Sequence, residues 1–303
     1  MKQKAAALSV LSNTSLVTLK VVAGLLTGSV SILSEALHSG TDLIASLMAY
    51  VSVRKAEAPA DAEHPFGHGK FENLSGLAEA LLIVLAGGYI MYEAVLKIIE
   101  PEEIRLPTFA IAVMALSAMV NLVVSRYLYR VARQTDSIAL EADAKHLSID
   151  VYTSAGVFIG LILVYLTGKV LLDPLIALVI ATVIFYEGMQ ITAKSVHGLL
   201  DRSLPAEEIE IIKDVLESHS DFIKDYHNLR TRKSGSERHI DLHLTVCQRE
   251  SIADTHNTMD SIEREISSRL SNCKVVIHPE PCTYHADKCP SDCYWLKIEK
   301  RKD

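Results

Sequence analysis

The sequence predicts a membrane all-α domain of six transmembrane helices followed by a cytoplasmic α+β (αββαβ) domain. Three observations carry that prediction. The chain has 303 residues, 49% of them hydrophobic, with mean hydropathy +0.22, an average that soluble proteins of this size rarely reach. The apolar residues are concentrated between residues 5 and 200, in long weakly charged runs, whereas residues 201–303 carry charge throughout. Six of those runs approach the ~20 apolar residues that a helix needs to cross a bilayer. The expected organisation is a transport-type membrane domain over 1–200, a soluble domain over 201–281 and a Cys/His-containing tail over 282–303.

The spans follow one another between turn signals. The first, 6–27, carries one cation, Lys20, and ends at Thr27-Gly28. The second, 31–54, holds Glu35, His38 and Asp42. The third, 74–98, includes the run Leu81–Ile90, and Pro101 and Pro107 separate it from the fourth, 106–128. The fifth, 138–166, opens polar with His146 and Asp150 and then turns apolar. Thr167-Gly168-Lys169 leads to the sixth, 171–194. In the soluble part, helices are expected at 205–219 and 251–270. Strands are expected at 225–234, 237–247 and 273–280, with a hairpin turn at Ser234-Gly235-Ser236. That order suggests an open sandwich with helices on one sheet face.

Lysine and arginine in short loops set the orientation. Lys2, Lys4, Arg54, Lys55, Lys70, Arg126, Arg130 and Arg133 fall on one side, against Lys97, Arg105 and Lys169 on the other. The excess places both termini and the soluble domain in the cytoplasm of a multi-pass inner-membrane protein. The N-terminus lacks an obvious cleavage site and is read as the first helix. A net charge of -7 and the absence of a basic stripe exclude nucleic acid as a partner. All five cysteines follow residue 246. In a cytoplasmic domain they suit thiolate ligation better than disulfides.

Two spellings carry the chemistry: His38-Ser39-Gly40-Thr41-Asp42 and His146-Leu147-Ser148-Ile149-Asp150. In each, an imidazole and a carboxylate stand four residues apart, on one face of a helix. Ionisable groups inside a bilayer are costly and mark ion paths. Two such faces supply two nitrogens and two oxygens, a tetrahedral shell suited first to Zn²⁺. With three helices per half, spans two and five run antiparallel, which fits an inverted repeat meeting at the midplane. A protonated imidazole cannot ligate, so metal release and proton uptake are coupled. A shell filled entirely by protein suits carriage and not hydrolysis, and no metalloprotease-type signature is present, so the chain reads as a secondary transporter and not an enzyme. A second group, Asp61, His64 and His68, lies in the loop after span two. Its His-x-x-x-His spacing chelates on a helix turn, with Asp61 as third ligand.

Over nearly its whole length the chain resembles the cation diffusion facilitator family. The likeness is carried by both His-x-x-x-Asp motifs, the loop Asp61-Ala62-Glu63-His64-Pro65-Phe66-Gly67-His68-Gly69-Lys70, and the segments Leu199-Leu200-Asp201-Arg202 and His227-Asn228-Leu229-Arg230-Thr231-Arg232. The resemblance implies a homodimer that exports Zn²⁺ or a similar divalent cation from the cytoplasm in exchange for protons. His-Asp on both helices implies zinc in particular; Fe²⁺, Mn²⁺, Co²⁺ and Cd²⁺ are the alternatives, and a membrane-anchored metal sensor is the competing class. It further implies that Asp61, His64 and His68 form a structural or regulatory site. Lys70 and Asp201 match an inter-subunit salt bridge. His227, His243, His256, His278 and Glu280 match a two-metal site at the dimer interface, with Glu280 where the family often has Asp. Zinc is thus expected both as substrate and as a bound structural or regulatory ion. Cys282, His285, Cys289 and Cys293 form a further candidate set that matches no standard zinc module. Lys20, Glu35, Glu72, Glu79, Asn121 and Glu141 are assigned no ligand role.

Overall fold

The structure is a computed structural model that describes residues 1–27, 30–99, 108–167 and 171–282. The chain divides into two compact units, Met1–Leu199 and Leu200–Asp303. The first is a bundle of α1 (Lys2–Thr27), α2 (Val30–Ala56), α3 (Lys70–Ile99), α4 (Thr108–Thr135), α5 (Ile138–Thr167) and α6 (Leu172–Leu199). Several helices outrun the expected apolar spans, α4 by seven residues at its C-terminal end and α6 by five. Hydropathy stops at the water boundary, but backbone hydrogen bonding continues the helix into it. The Pro101 and Pro107 turn, Gly28 and Gly168-Lys169 lie outside the described residues.

This unit is apolar outside and sets polar groups among the apolar residues of its interior. Leu25, Leu85 and Val179 are each about two-thirds or more exposed, whereas Ser9, Asn13, Asp42, Glu79, Asn121 and Asp143 are buried. A soluble protein distributes these residues the other way; hydrocarbon as solvent reverses the preference. By length and composition alone, Lys2–Ala23, Lys70–Ile99 and Pro174–Leu199 can cross a membrane. Helices α3 and α6 pack most closely, through glycine. A Cβ on Gly188 would lie 2.8 Å from Ile83 Cγ2 and 3.1 Å from the Val84 backbone nitrogen, so only a residue without a side chain allows the approach. Lys20 does not snorkel to water but turns inward, donating to Ser39 Oγ at 2.6 Å.

The second unit comprises α7 (Ala206–Ser218), β1 (Asp225–Ser234), β2 (Glu237–Val246), α8 (Ile252–Arg269) and β3 (Cys273–Pro281), within two residues of every expected boundary. β2 is central, antiparallel to β1 and parallel to β3. Gly235, at φ 59°, allows the tight turn between β1 and β2. Pro279 and Pro281 fall on β3, an edge strand, where a missing N–H is tolerated. Ser251 caps α8, its Oγ accepting from Asp254 N at 3.1 Å. Ile240, Leu242, Leu244 and Val246 of β2 form one sheet face and pack against Ile212, Val215 and Leu216 of α7 and Ile262 and Ile266 of α8. Among the described residues, no helix of this unit covers the opposite face of the sheet, which carries the histidines.

Candidate metal centres

In the helical unit the structure brings α2 and α5 together through their motif residues. His146 Nε2 lies 3.1 Å from Asp42 Oδ1, and both side chains are nearly inaccessible. Asp150, one turn further along α5, accepts from Asn121 Nδ2 of α4 at 2.9 Å. Asn13 of α1 donates to the Asp42 carbonyl at 3.4 Å. His38 sits on α2 four residues before Asp42, but its side chain lies outside the described residues. Asn121 is the residue that reading for ligands alone passes over. The signal for it was the buried polar stripe Ser117, Asn121, Ser125 at i, i+4 spacing along an otherwise apolar helix.

Asp61, His64 and His68 converge on the loop between α2 and α3, with ligand atoms within 4.8 Å of one another. They sit in turns and not on a helix, because Pro65 and Gly67, the latter at φ 83°, interrupt one. Asp61 Oδ1 accepts from the backbone N–H groups of His64 at 2.6 Å and Glu63 at 3.0 Å. The His64 backbone bond, and with it the neighbouring imidazoles, holds the Asp61 carboxyl below its ordinary value against partial desolvation. His68 Nε2 approaches Asp61 Oδ2 at 3.3 Å, and the two imidazole centroids are 4.5 Å apart. The donor set, two imidazoles and an ionised carboxylate, fits a zinc-type ion with an open fourth position.

On the helix-free face of the sheet, His227, His243 and His278 stand at one register position across β1, β2 and β3. The ring centroids step 5.3 Å from His227 to His243 and 4.9 Å from His243 to His278. Glu280 ties the row together, Oε1 at 2.8 Å from His243 Nδ1 and Oε2 at 3.2 Å from His227 Nε2. The His243 bond, followed by the charges of the row, lowers the Glu280 carboxyl below its usual range. Ligand atoms of His227, His243 and Glu280 lie within 4.8 Å of one another. A one-residue bulge between His227 and Arg230 creates this arrangement, with Asn228 at φ 51°. Tyr226 and Leu229, three apart, therefore both face the core, and His227 shares the outer face with His243.

Not every expected ligand joins. His256 is exposed on α8, in the helical layer on the other side of the sheet. One chain does not place it with His227 and His243. Lys70, the first residue of α3, donates to the Leu199 carbonyl at the C-terminus of α6 at 3.3 Å, while Asp201 accepts from Arg232 Nη1 at 3.2 Å. Each thus has a partner within its own unit. Cys282 is buried, and its backbone N–H bonds to Val246 O at 2.8 Å. His285, Cys289 and Cys293 lie outside the described residues.

Comparison with known proteins agrees with this architecture. Residues 6–200 match the cation efflux transmembrane domain and residues 204–282 the cytoplasmic domain of cation efflux proteins. An uncharacterised transporter of Synechocystis sp. is 35% identical over 87% of this chain and 85% of its own. The cation-efflux pump FieF of Serratia proteamaculans is 36% identical over 92% of this chain and 93% of its own. Among solved structures, the metal-bound C-terminal domain of the CzcD transporter from Thermotoga maritima is 26% identical. It covers 27% of this chain and 98% of its own, at a TM-score of 0.24 that bears no argument. Two matched domains in sequence, spanning a polar-cored helical bundle and a histidine-faced αββαβ unit, make the chain a member of the cation diffusion facilitator family of cation efflux transporters.

Proposed function

We propose that this chain exports Zn²⁺ from the cytoplasm across the cell inner membrane in exchange for protons, with His38, Asp42, His146 and Asp150 as the transport site. The observation that carries the reading is the 3.1 Å approach of His146 Nε2 to Asp42 Oδ1 inside a bundle whose exterior is apolar. A carboxylate and an imidazole held face to face by different helices can grip one ion jointly. They release it when the helices part or when the imidazole takes a proton. Each pH unit of gradient contributes about 1.4 kcal/mol per proton, enough for a tenfold outward concentration of metal. Both termini are read as cytoplasmic. Residues 201–281 are read as the dimerisation domain, with metal on the His227, His243, His278 and Glu280 face favouring whichever state binds it better. His256 is read as a ligand supplied across the dimer, Lys70–Asp201 as an inter-subunit bridge, Asp61, His64 and His68 as a structural or regulatory zinc site, and Cys282, His285, Cys289 and Cys293 as an accessory one.

The test is flux in proteoliposomes with an imposed pH gradient, comparing Zn²⁺ with Fe²⁺, Mn²⁺, Co²⁺ and Cd²⁺. Wild-type protein is expected to move zinc in the direction opposite to the proton gradient, and Asp42→Ala with Asp150→Ala to abolish that flux. Zinc flux that persists in that double variant removes the site; flux indifferent to the gradient removes proton exchange.

A further inference from the structure

One pair of buried acids has no role in the site just described. Glu79 of α3 and Asp143 of α5 are both fully buried in the bundle. Their chain neighbours Ala80 and Ala142 belong to one packed core between the two helices, and the Asp143 charge opposes that of Glu79. Ser75 Oγ donates to Glu79 Oε1 at 3.1 Å, but Glu79 Oε2 and both Asp143 oxygens have no hydrogen-bond partner. The buried Ser9 hydroxyl of α1 points at Asp143 without reaching hydrogen-bond geometry, and it meets no other partner among the described residues. The charges that Asp143 feels are those of His146 and Asp42, and among the described residues no lysine or arginine charge acts on either acid. An unpaired carboxylate in such surroundings is costly unless a cation or a proton neutralises it. A second, separate observation is thus an orphaned hydroxyl aimed at the carboxylates.

We infer that Glu79 and Asp143, with the hydroxyls of Ser9 and Ser75, form a second divalent-cation site, a cytoplasm-side station on the way to the transport site. The inference rests on the transport-site reading above. In the proposed orientation α5 begins at the cytoplasm, so Asp143 precedes His146 by three residues, about 4.5 Å along the axis. The donors are oxygen alone, which suits a hard or still partly hydrated cation, whereas the transport site adds two imidazoles. An ion such as Zn²⁺ gains by moving from oxygen to nitrogen ligands, so the ligand sequence itself favours passage inward. Glu79 and Asp143 come from different helices, and the movement that opens α3 against α5 also loosens the station.

The experiment measures Mn²⁺, which oxygen-rich sites accept, bound to the full-length protein in detergent, by the loss of the free-ion magnetic-resonance signal. Glu79→Gln keeps the shape and removes one charge. It is expected to bind one Mn²⁺ fewer per chain than wild type and to raise the zinc concentration for half-maximal flux about tenfold. The swap Glu79→Asp with Asp143→Glu keeps two carboxylates and is expected to retain the ion. A wild-type Mn²⁺ count in Glu79→Gln overturns the station and leaves protons as the sole neutralising species; equal loss in the swap also overturns it. Asp42→Ala with Asp150→Ala is expected to keep the station's Mn²⁺. If that variant still transports, the transport-site reading fails while the station's count stands, so the two failures are separable.

Discussion

Asn121 offers the sharpest test of how the bundle holds its ligands. Its amide donates to Asp150 Oδ2 at 2.9 Å from a position that is 4% exposed. A hydrogen bond to a charged group contributes about 1.5–3 kcal/mol. Groups that orient a metal ligand typically cost 10–100-fold in affinity when removed, about 1.4–2.8 kcal/mol on the same scale. The two estimates agree. Asn121→Leu keeps the volume and removes the donor, so Asp150 loses one of the contacts that fix its orientation. Zinc flux into proteoliposomes is therefore expected to need about 10–100 times more zinc for half-saturation, and Asn121→Gln, which restores a donor on a longer arm, to recover part of the loss. Asn13 is the internal control. Its bond to the Asp42 carbonyl is longer, 3.4 Å, and joins neutral groups, so Asn13→Ala is expected to change half-saturation less than about threefold. A wild-type response in Asn121→Leu, or equal losses in the two variants, refutes the reasoning.

Three further outcomes follow from the geometry. Gly188→Leu drives a side chain into Ile83 and the Val84 backbone and is expected to lower the thermal stability of the detergent-solubilised protein by about 1–3 kcal/mol. Gly40→Ala, with nothing within 4 Å, is expected to leave it unchanged. Asp61 and Glu280 have folded values below their ordinary ones, so their contributions are complete above the usual carboxylate range and are lost only as pH falls through the lowered values. Acidifying from pH 7 to 5 therefore leaves both ionised. Asp61→Asn or Glu280→Gln is expected to weaken zinc by a constant factor from pH 5 to 8, and a displaced pH midpoint in a zinc-binding titration contradicts this. Asn228→Val puts a β-branched residue at φ 51°, a penalty of about 1–2 kcal/mol, and is expected to weaken zinc at the sheet face about 5–30-fold. Asn228→Gly is expected to bind as wild type.

Much of the fold was legible because two solvents leave two patterns. The apolar runs end where hydrocarbon ends, so all six helices could be placed, but the polar turns that prolong them could not. A helix such as α4 continues through Arg126, Arg130 and Arg133 on hydrogen bonding alone. In the soluble unit the alternation of Ile240, Leu242, Leu244 and Val246 announced a half-buried strand. β1 is harder to read. Strict alternation outward from Leu229 puts His227 on the core face and Tyr226 in water. The inserted Asn228 reverses that, and a bulge has no signature beyond a residue that tolerates positive φ.

The sites follow the same division. Ligands declare themselves by type and spacing, since a paired imidazole and carboxylate inside an apolar helix has few other uses. What surrounds them is written in residues with many uses. Asn121 and Ser9 are as ordinary in sequence as Thr14 or Ser15, whose hydroxyls merely bond the preceding turn of their own helix. Only packing separates the two kinds, by burying one and exposing the other. His256 illustrates the converse. By type it belongs with His227 and His243, but α8 covers the apolar face of the sheet and the histidine row occupies the opposite one. No rotamer of His256 crosses a three-stranded sheet. If it ligates zinc beside His243, the helix that presents it must come from a second chain, so a metal bound by all five residues and the dimer are one equilibrium, and removing the metal must loosen the other.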